Sequence, residues 1–458
     1  MHDKADLTTG SLKKHIWQLA WPMMLSIFFH ALYNIVDTFW VSKLSPESIA
    51  AVSISQITLF LMISIGIGIT IGSGVLMAMD IGAKNKPGAE RILGQSFVLT
   101  GLAGVFFTIL ALTFRNELLV LTGAAGNIFE PALAYFTITS GGSILFFTMI
   151  TIMFAFNSQG DTLTLTKLFA LSTLINLIGD PLLIFGYGPF PAMGISGAAY
   201  STLFSQFIFI IIALKSLNSP KRAIRFHFRN LTFHWESVKQ VLKIGIPAAM
   251  TQVINPIGLA AMTYMTGARF LEAGATAFSL GFRLEFFAYL PAIGFGFAAM
   301  AIMGQNIGAH KLDRSRQALN LALKYSMSIA LGMGLLAALF APQIIAVFTE
   351  DPDVTHYALL YFRSVAFSYT FIAAMMVEAN GFQAIGRSWP GFWIMFLRFI
   401  VISIPMSYVL SFVFDFSIMG IWSALIAGNT IASIIGYLWL QRTLHHFSFK
   451  VVDEATHA

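Results

Sequence analysis

The chain has no cysteine among its 458 residues, which excludes disulfides, thiolate metal ligands and cysteine nucleophiles together. Charge is nearly as scarce: only 10% of residues are Asp, Glu, Lys or Arg, against about 25% in a soluble domain. No Gly-Lys-Ser/Thr phosphate loop follows a strand pattern, so ATP is not expected as an energy source. Most of the ten histidines fall in loops or termini with no metalloprotease spacing, and an enzyme or a resident cofactor is not expected. What fills the space is apolar: 57% of residues are hydrophobic and the mean hydropathy is +0.76.

The apolar residues come in windows of about 20 between polar breaks, the length that crosses a bilayer as a helix. The windows lie near 16–42, 49–79, 92–114, 131–157, 164–187, 194–215, 241–266, 274–304, 317–341, 355–382, 390–414 and 419–441. Residues 1–15 are polar, and the run from Ile16 to Val41 lacks a small-residue cleavage pattern, so it is expected to stay as the first span. The expected class is therefore an all-α integral membrane protein of about twelve spans.

Within these windows the chain is written twice, 226 positions apart. Ile81-Gly82-Ala83-Lys84 returns as Ile307-Gly308-Ala309-His310, and Ala132-Leu133-Ala134-Tyr135-Phe136 returns as Ala358-Leu359-Leu360-Tyr361-Phe362. Phe156 and Gly160 return as Phe382 and Gly386, and Gly194-Ile195 with Ala198 as Gly420-Ile421 with Ala424. Six spans per half is an even number, so the repeat is parallel and predicts two pseudo-symmetric bundles flanking a cleft, the design of a transporter whose lobes rock. The expected divisions are an N-lobe at 1–215, a linker at 216–240, a C-lobe at 241–441 and a tail at 442–458. Such a self-contained bundle needs no partner subunit, and a functional monomer is expected.

Basic residues set the orientation. Placing both termini in the cytoplasm puts most of the 27 Lys and Arg inside, including Lys4, Lys13, Lys14, Lys84, Lys86, Lys221, Arg222, Lys311 and Lys450, with only Lys43, Arg115 and Arg269 outside. The net charge of +6 then belongs at anionic headgroups, not on nucleic acid. An inner cell membrane is the expected location.

Ionisable groups inside a span cost about 2.5–3.5 kcal/mol each at a helix centre on insertion scales, so they mark function. Four acids qualify, Asp37, Asp180, Glu285 and Glu378, with Arg283, Arg363 and Arg398 as basic candidates. Asn34 and Asp37 are three apart, Asn176 and Asp180 four apart, spacings that put each amide and carboxylate on one helical face. Pro181 cannot donate to the carbonyl of Leu177, nor Pro22 to that of Gln18, so hinges are expected at both prolines. At an offset of 225, one less than elsewhere, Pro247 stands opposite Pro22 and Met262 opposite Asp37, and at 226 Met406 stands opposite Asp180; the second half kept the frame and lost these acids. Arg283 sits beside Glu285 as a local counter-charge, Arg363 or Arg398 is available to Glu378, and Asp80, near Lys84 and Lys86, reads as a solvated charge. Gly66, Gly68, Gly72 and Gly74 read as close helix packing. The 44 Phe and 21 Met suit an adaptable apolar chamber.

These residues resemble a family. The first helix with Pro22 and Asp37, the stretch Asn176-Leu-Ile-Gly-Asp180-Pro181, Gly194-Ile-Ser-Gly197-Ala-Ala ahead of Thr202, the paired Ile-Gly-Ala loops and Arg283-Leu-Glu285 are similar to the multidrug and toxic compound extrusion (MATE) transporters. The resemblance runs over essentially the whole chain and favours the DinF-like or archaeal branch. It implies a cation-coupled antiporter that exports lipophilic, often cationic small molecules by alternating access. It also implies a first-lobe coupling site of Asp37, Asn176, Asp180 and Thr202; Asn34, Glu285, Arg283 and Glu378 are, as polar groups inside spans, further candidate coupling or substrate positions. Other branches place a Glu on span seven; here Asn255-Pro256 supplies no carboxylate. Na+ would need several oxygens, which those four residues offer, whereas a proton needs only a buried acid, and protons are the favoured ion. A flippase for lipid-linked saccharides of the same superfamily is the alternative, although it calls for a cationic cavity.

Overall fold

The computed structural model describes residues 6–220 and 222–449; Lys4, Lys221, Lys450 and residues 450–458 of the expected tail lie outside the described residues. The first half forms α1 (Leu12–Val41), α2 (Pro46–Gly82), α3 (Lys86–Thr113), α4 (Arg115–Leu121), α5 (Phe129–Gly141), α6 (Ser143–Ser158), α7 (Thr162–Phe185) and α8 (Ile195–Leu217). The second forms α9 (Trp235–Gly308), α10 (Leu312–Leu339), α11 (Ala341–Ala346), α12 (Pro352–Ser364), α13 (Tyr369–Ala384), α14 (Trp389–Phe396), α15 (Ile404–Tyr408) and α16 (Met419–His445). Among the described residues there is no strand, as expected where lipid satisfies no backbone group. Among the described residues eleven helices are long and apolar enough to cross a membrane, or twelve if α5 and α6, bent by 51°, count as one span.

Polar residues at the helix ends set the boundaries. Ser45 accepts from the Ser48 amide at the start of α2, with Pro46 in the first turn, Asn85 accepts from Gly88 ahead of α3, and Asp161 accepts from Thr164 ahead of α7; each satisfies an amide the helix leaves unpaired. Gly186, at φ +76°, ends α7 in the left-handed conformation. Pro22 and Pro181 both lie inside helices that run on through them.

The duplication read from the letters is also a duplication of backbone. The 28 residues of α3 and the 28 of α10 begin and end 226 positions apart, as do the 16 of α6 and the 16 of α13. The turns agree too: Lys84 and His310 have φ of 59° and 57°, Gly160 and Gly386 have 73° and 75°. The two spans expected at 241–266 and 274–304 are joined in α9, interrupted only at Phe270 and Leu271. That break is the counterpart of the turn between α1 and α2.

The described residues fall into two compact units, Leu25–Ala249 in one and 6–24 with 250–449 in the other. This departs from the linear division expected at 215 and 241, because the boundaries cut α1 and α9 rather than the polar linker. Both cuts come two residues after a proline, Pro22 and Pro247. The same swap appears within each unit. A methyl group added to Gly68 of α2 would meet Ala249 at 2.3 Å, and one added to Gly294 of α9 would meet Met24 at 2.5 Å. The linker is likewise part of the first unit: Gln95 donates to the carbonyls of Asn230 (3.0 Å) and Thr232 (2.6 Å) and accepts from the His234 amide. In the second unit the segment before α1 is held by Asn306 donating to the Leu7 carbonyl at 3.1 Å and Lys311 to that of Thr8 at 2.8 Å. A linear reading saw polar composition; which helix face a segment packs on is not written there.

The glycine-rich face of α2 serves this packing. Gly66 faces Phe147, Gly74 faces Phe154, and a methyl group on Gly72 would meet the Val241 carbonyl at 2.3 Å, a backbone atom that cannot turn aside. Gly72→Leu is therefore expected to cost about 1–3 kcal/mol or more by overpacking, seen as a lower melting temperature in detergent. Gly101→Ala, with nothing within 4 Å, is expected to be neutral or to stabilise by up to about 1 kcal/mol. Equal melting of the two variants would show that the α2–α9 contact is not tight.

Candidate functional site

In the first unit, α1, α5, α7 and α8 bring one polar group together inside an apolar surround. Asp37 and Asp180 are buried, at 1% and 0% exposure. Tyr135 of α5 is seated in a cluster with Val41, Val52, Ile184, Ala198 and Ala199, and its hydroxyl donates to Asp37 Oδ2 at 3.2 Å. On α7 the four-residue spacing closes as a hydrogen bond: Asn176 Nδ2 donates to Asp180 Oδ1 at 2.7 Å, and also meets Ser201 Oγ of α8 at 3.3 Å. The Tyr33 hydroxyl shares a hydrogen bond with Ser205 Oγ at 3.3 Å. It lies beside Thr202 and within electrostatic reach of both Asp37 and Asp180.

Four buried oxygens in this group close no hydrogen bond of good geometry among the described residues, Asp37 Oδ1, Asn176 Oδ1, Asp180 Oδ2 and Thr202 Oγ1, although the Tyr33 hydroxyl approaches Thr202 and the Ser201 hydroxyl approaches Asp180. The two acids interact with each other electrostatically, and among the described residues no Lys, Arg or His pairs with either. Buried polar atoms are ordinarily paired. Two carboxylates, an amide oxygen and a hydroxyl are hard donors, the kind that replaces water around a small cation; a proton on either acid would satisfy the same atoms by turning an acceptor into a donor.

Asn34 does not join the group. Its amide donates to the His30 carbonyl one turn back on α1, at 2.8 Å, a local bond that short polar side chains readily make. The partner of Asp37 is Tyr135, which reasoning by helical spacing missed because it lies 98 positions away. A signal was present: Tyr135 is part of the motif that returns as Tyr361.

The second unit has its own buried acids. Glu285 of α9 accepts from the Tyr361 hydroxyl at 2.8 Å, and its other oxygen lies 3.9 Å from the guanidinium of Arg398. Arg283 is not the counter-charge: it is exposed, because residues two apart on a helix do not face each other. Glu378 meets neither Arg363, which is exposed, nor Arg398. Ser433 of α16 donates to its Oε1 at 3.3 Å, and its Oε2 has no partner among the described residues. Asp80, expected in solvent, is 3% exposed and accepts from Asn85 at 2.9 Å. It braces the left-handed turn at Lys84, which is itself exposed. Among the described residues no cluster of three His, Cys, Asp or Glu forms a metal site; the first-unit group, built half of amide and hydroxyl, is of another kind.

A family model for MatE matches residues 22–182 and 247–409. Each match begins at the proline that precedes a crossing between units. A protein of Shewanella oneidensis named FAD transporter is 27% identical over 445 residues, covering 96% of this chain and 97% of that one. The probable multidrug resistance protein YoeA of Bacillus subtilis is 26% identical, covering 92% and 91%. A solved structure of a multidrug resistance MATE family transporter of the MOP superfamily, in an outward-facing conformation, matches with a TM-score of 0.89 at 25% identity, covering 97% of this chain and 98% of that one. Eleven or twelve apolar helices, an internal repeat whose two copies both match, and relatives aligned over nearly their full length lead to one conclusion: the chain belongs to the MatE family of multi-pass membrane transporters and is not an enzyme.

Proposed function

We propose that this transporter is a cation-coupled antiporter that exports lipophilic, often cationic small molecules, with Asp37, Asn176, Asp180 and Thr202 as its coupling site. The observation that carries the reading is the set of four buried, incompletely satisfied oxygens around two acids that, among the described residues, no basic side chain neutralises. Two negative charges in low dielectric repel each other and lose solvation, so the unit is stable only while a mobile cation is held there. Cation arrival neutralises the lobe, and departure forces a change. The unit boundary in α1, two residues past Pro22, makes that helix the element through which a change at Asp37 reaches the other unit. Both termini are assigned to the cytoplasm on the lysine and arginine pattern, and the DinF-like or archaeal branch and a monomeric working unit remain part of the proposal.

The favoured ion is the proton, which needs only one of the two neighbouring acids. Transport of a fluorescent lipophilic cation in proteoliposomes is expected to follow an imposed pH gradient without Na+ and to collapse with a protonophore. Efflux driven by Na+ at zero pH gradient would overturn this choice in favour of Na+, for which the Asn176 and Thr202 oxygens speak. Asp37→Asn and Asp180→Asn are each expected to reduce ion-driven export at least about tenfold, since a lost charge-assisted contact of about 1.5–3 kcal/mol exceeds the 1.4 kcal/mol that makes a factor of ten. Membrane insertion should be unaffected. Ion-driven export by a well-inserted Asp37→Asn protein at the unmodified rate would remove Asp37 from the mechanism.

The cargo has a second reading, because one relative aligned over 97% of its length is named as an FAD transporter. Lipophilic cations suit a lobe that carries unpaired acids, whereas a dinucleotide phosphate is repelled by them. In a competition assay, unlabelled lipophilic cations are expected to inhibit efflux of the fluorescent cation and FAD is not. Inhibition by FAD alone would reverse the assignment, and scrambling of a lipid-linked saccharide without ion coupling would support the flippase alternative.

A further inference from the structure

The two units each bury a carboxylate under the same tyrosine. Tyr135 donates to Asp37, and Tyr361, its counterpart 226 positions on, donates to Glu285. The acids come from different helices, α1 in the first unit and α9 in the second, so the repeat has kept the hydroxyl and rebuilt the acid beneath it. What differs is the counter-charge. Arg398 stands at the repeat position of Ser172, on the stretch that corresponds to α7, the helix that supplies Asn176 and Asp180 to the first unit.

Several features fix Arg398 beside Glu285. It is 2% exposed and opens a π-helical stretch, Leu397–Ser403, a widened helical form that recurs at functional positions. Its guanidinium lies over the Phe399 ring at 4.3 Å, and that ring in turn sits where a methyl group on Gly258 would be, at 2.2 Å. Arg398 also donates to the Tyr289 hydroxyl at 3.5 Å. The ion pair itself is loose: 3.9 Å is well beyond the roughly 2.7–2.9 Å of a charge-assisted hydrogen bond. Arg398 Nε and the Trp422 indole of the same cluster have no hydrogen-bond partner among the described residues, while the hydroxyls of Tyr289 and Tyr369 reach Glu285 and Tyr361. A pair serving only to lock two helices would be expected to close into a fork.

We propose that Arg398 is a tethered counter-ion: its guanidinium fills, in the second unit, the role that an exchangeable cation fills beside Asp37 and Asp180. Glu285 is then a latent site for a monovalent cation, kept silent by a positive charge that cannot leave. The chain exchanges cation at one lobe only. This rests on the reading of the first unit as a cation site, and on the general cost of an unbalanced charge in a dry interior. Arginine suits the role because it stays charged in any surroundings.

The test counts bound cations on the purified full-length chain in nanodiscs, by equilibrium binding of radioactive Na+ and by proton uptake in lightly buffered solution. Arg398→Met is expected to add about one equivalent over the unmodified protein. That equivalent should persist in the Asp37→Asn/Asp180→Asn background and vanish when Glu285→Gln is added. A folded Arg398→Met protein with no gain overturns the proposal; so does an equivalent that survives Asp37→Asn/Asp180→Asn with Arg398 in place and is then removed by Glu285→Gln. Absence of any Asp37- and Asp180-dependent cation in the unmodified protein counts instead against the coupling site, and the gain on Arg398→Met is still read. If Arg398→Met alone does not fold, the charge-neutral pair Glu285→Gln/Arg398→Met decides. It is expected to transport within about twofold of the unmodified rate with its ion dependence intact, and loss of ion coupling in that folded variant overturns the proposal.

Discussion

A carboxylate with no water and no partner cannot stay ionised inside hydrocarbon, and this constraint organises both halves of the chain. Asp180 has no exposed surface; Asn176 satisfies one of its oxygens and leaves the other. Full pairing by side chains would make the site inert, and no pairing at all would prevent it from forming. On the proposed coupling-site reading, partial satisfaction by neutral donors is what would let a small cation come and go. Tyr135, Asn176 and Ser201 bond to the acids or their neighbours without cancelling their charge, so on the proposed reading the remainder comes from an ion.

The swap at α1 and α9 gives that local event its reach. A helix contained in one unit would report the charge state of Asp37 only to its own neighbours. α1 instead carries Asp37 in its later half and packs its first half in the other unit; there Trp17 lies edge-on to Phe295 at 5.3 Å. α9 repeats the arrangement, and both crossings follow a proline that removes one rung of the helix ladder. A rigid rod with one weakened rung transmits a displacement and localises the bend.

The architecture was legible because its signals are one-dimensional: hydropathy gives spans, and identical letters at a fixed offset give the repeat. The Asn176–Asp180 contact was legible for the same reason, as four residues make one helical turn. Relations across helices were not. Glu285 was matched to Arg283 by nearness in the chain, though two positions along a helix point to different sides, and its partner Arg398 lies on another helix. Asn34 was matched to Asp37 on spacing that is correct for the helix, yet a short amide is as readily satisfied by the backbone behind it. Asp80 looked solvated beside Lys84 and Lys86, but a left-handed residue at 84 reverses the chain and leaves the acid inside. The 24/25 and 249/250 boundaries carry no compositional mark, because a helix that changes neighbours stays equally apolar along its length.

The two halves show what duplication permits. Once the backbone frame is doubled, each lobe has to bury the same surfaces, so helix lengths, turns and close-packed glycines stay matched: Gly68 against Ala249, Gly294 against Met24. Polar side chains are under no such demand. The first lobe keeps its acids near Tyr33 and Ser205; in the second, Met262 at an offset of 225 and Met406 at 226 stand opposite Asp37 and Asp180, and a hydroxyl from Ser407 meets the Met262 sulfur at 3.9 Å. An acid lost at one position and regained at Glu285 beneath the retained tyrosine brings back the same electrostatic problem, since burial there is as dry as before. On the proposed reading, the basic residue fixed across from it balances that charge without an ion, and one asymmetric lobe would suffice to tie ion movement to a change of conformation.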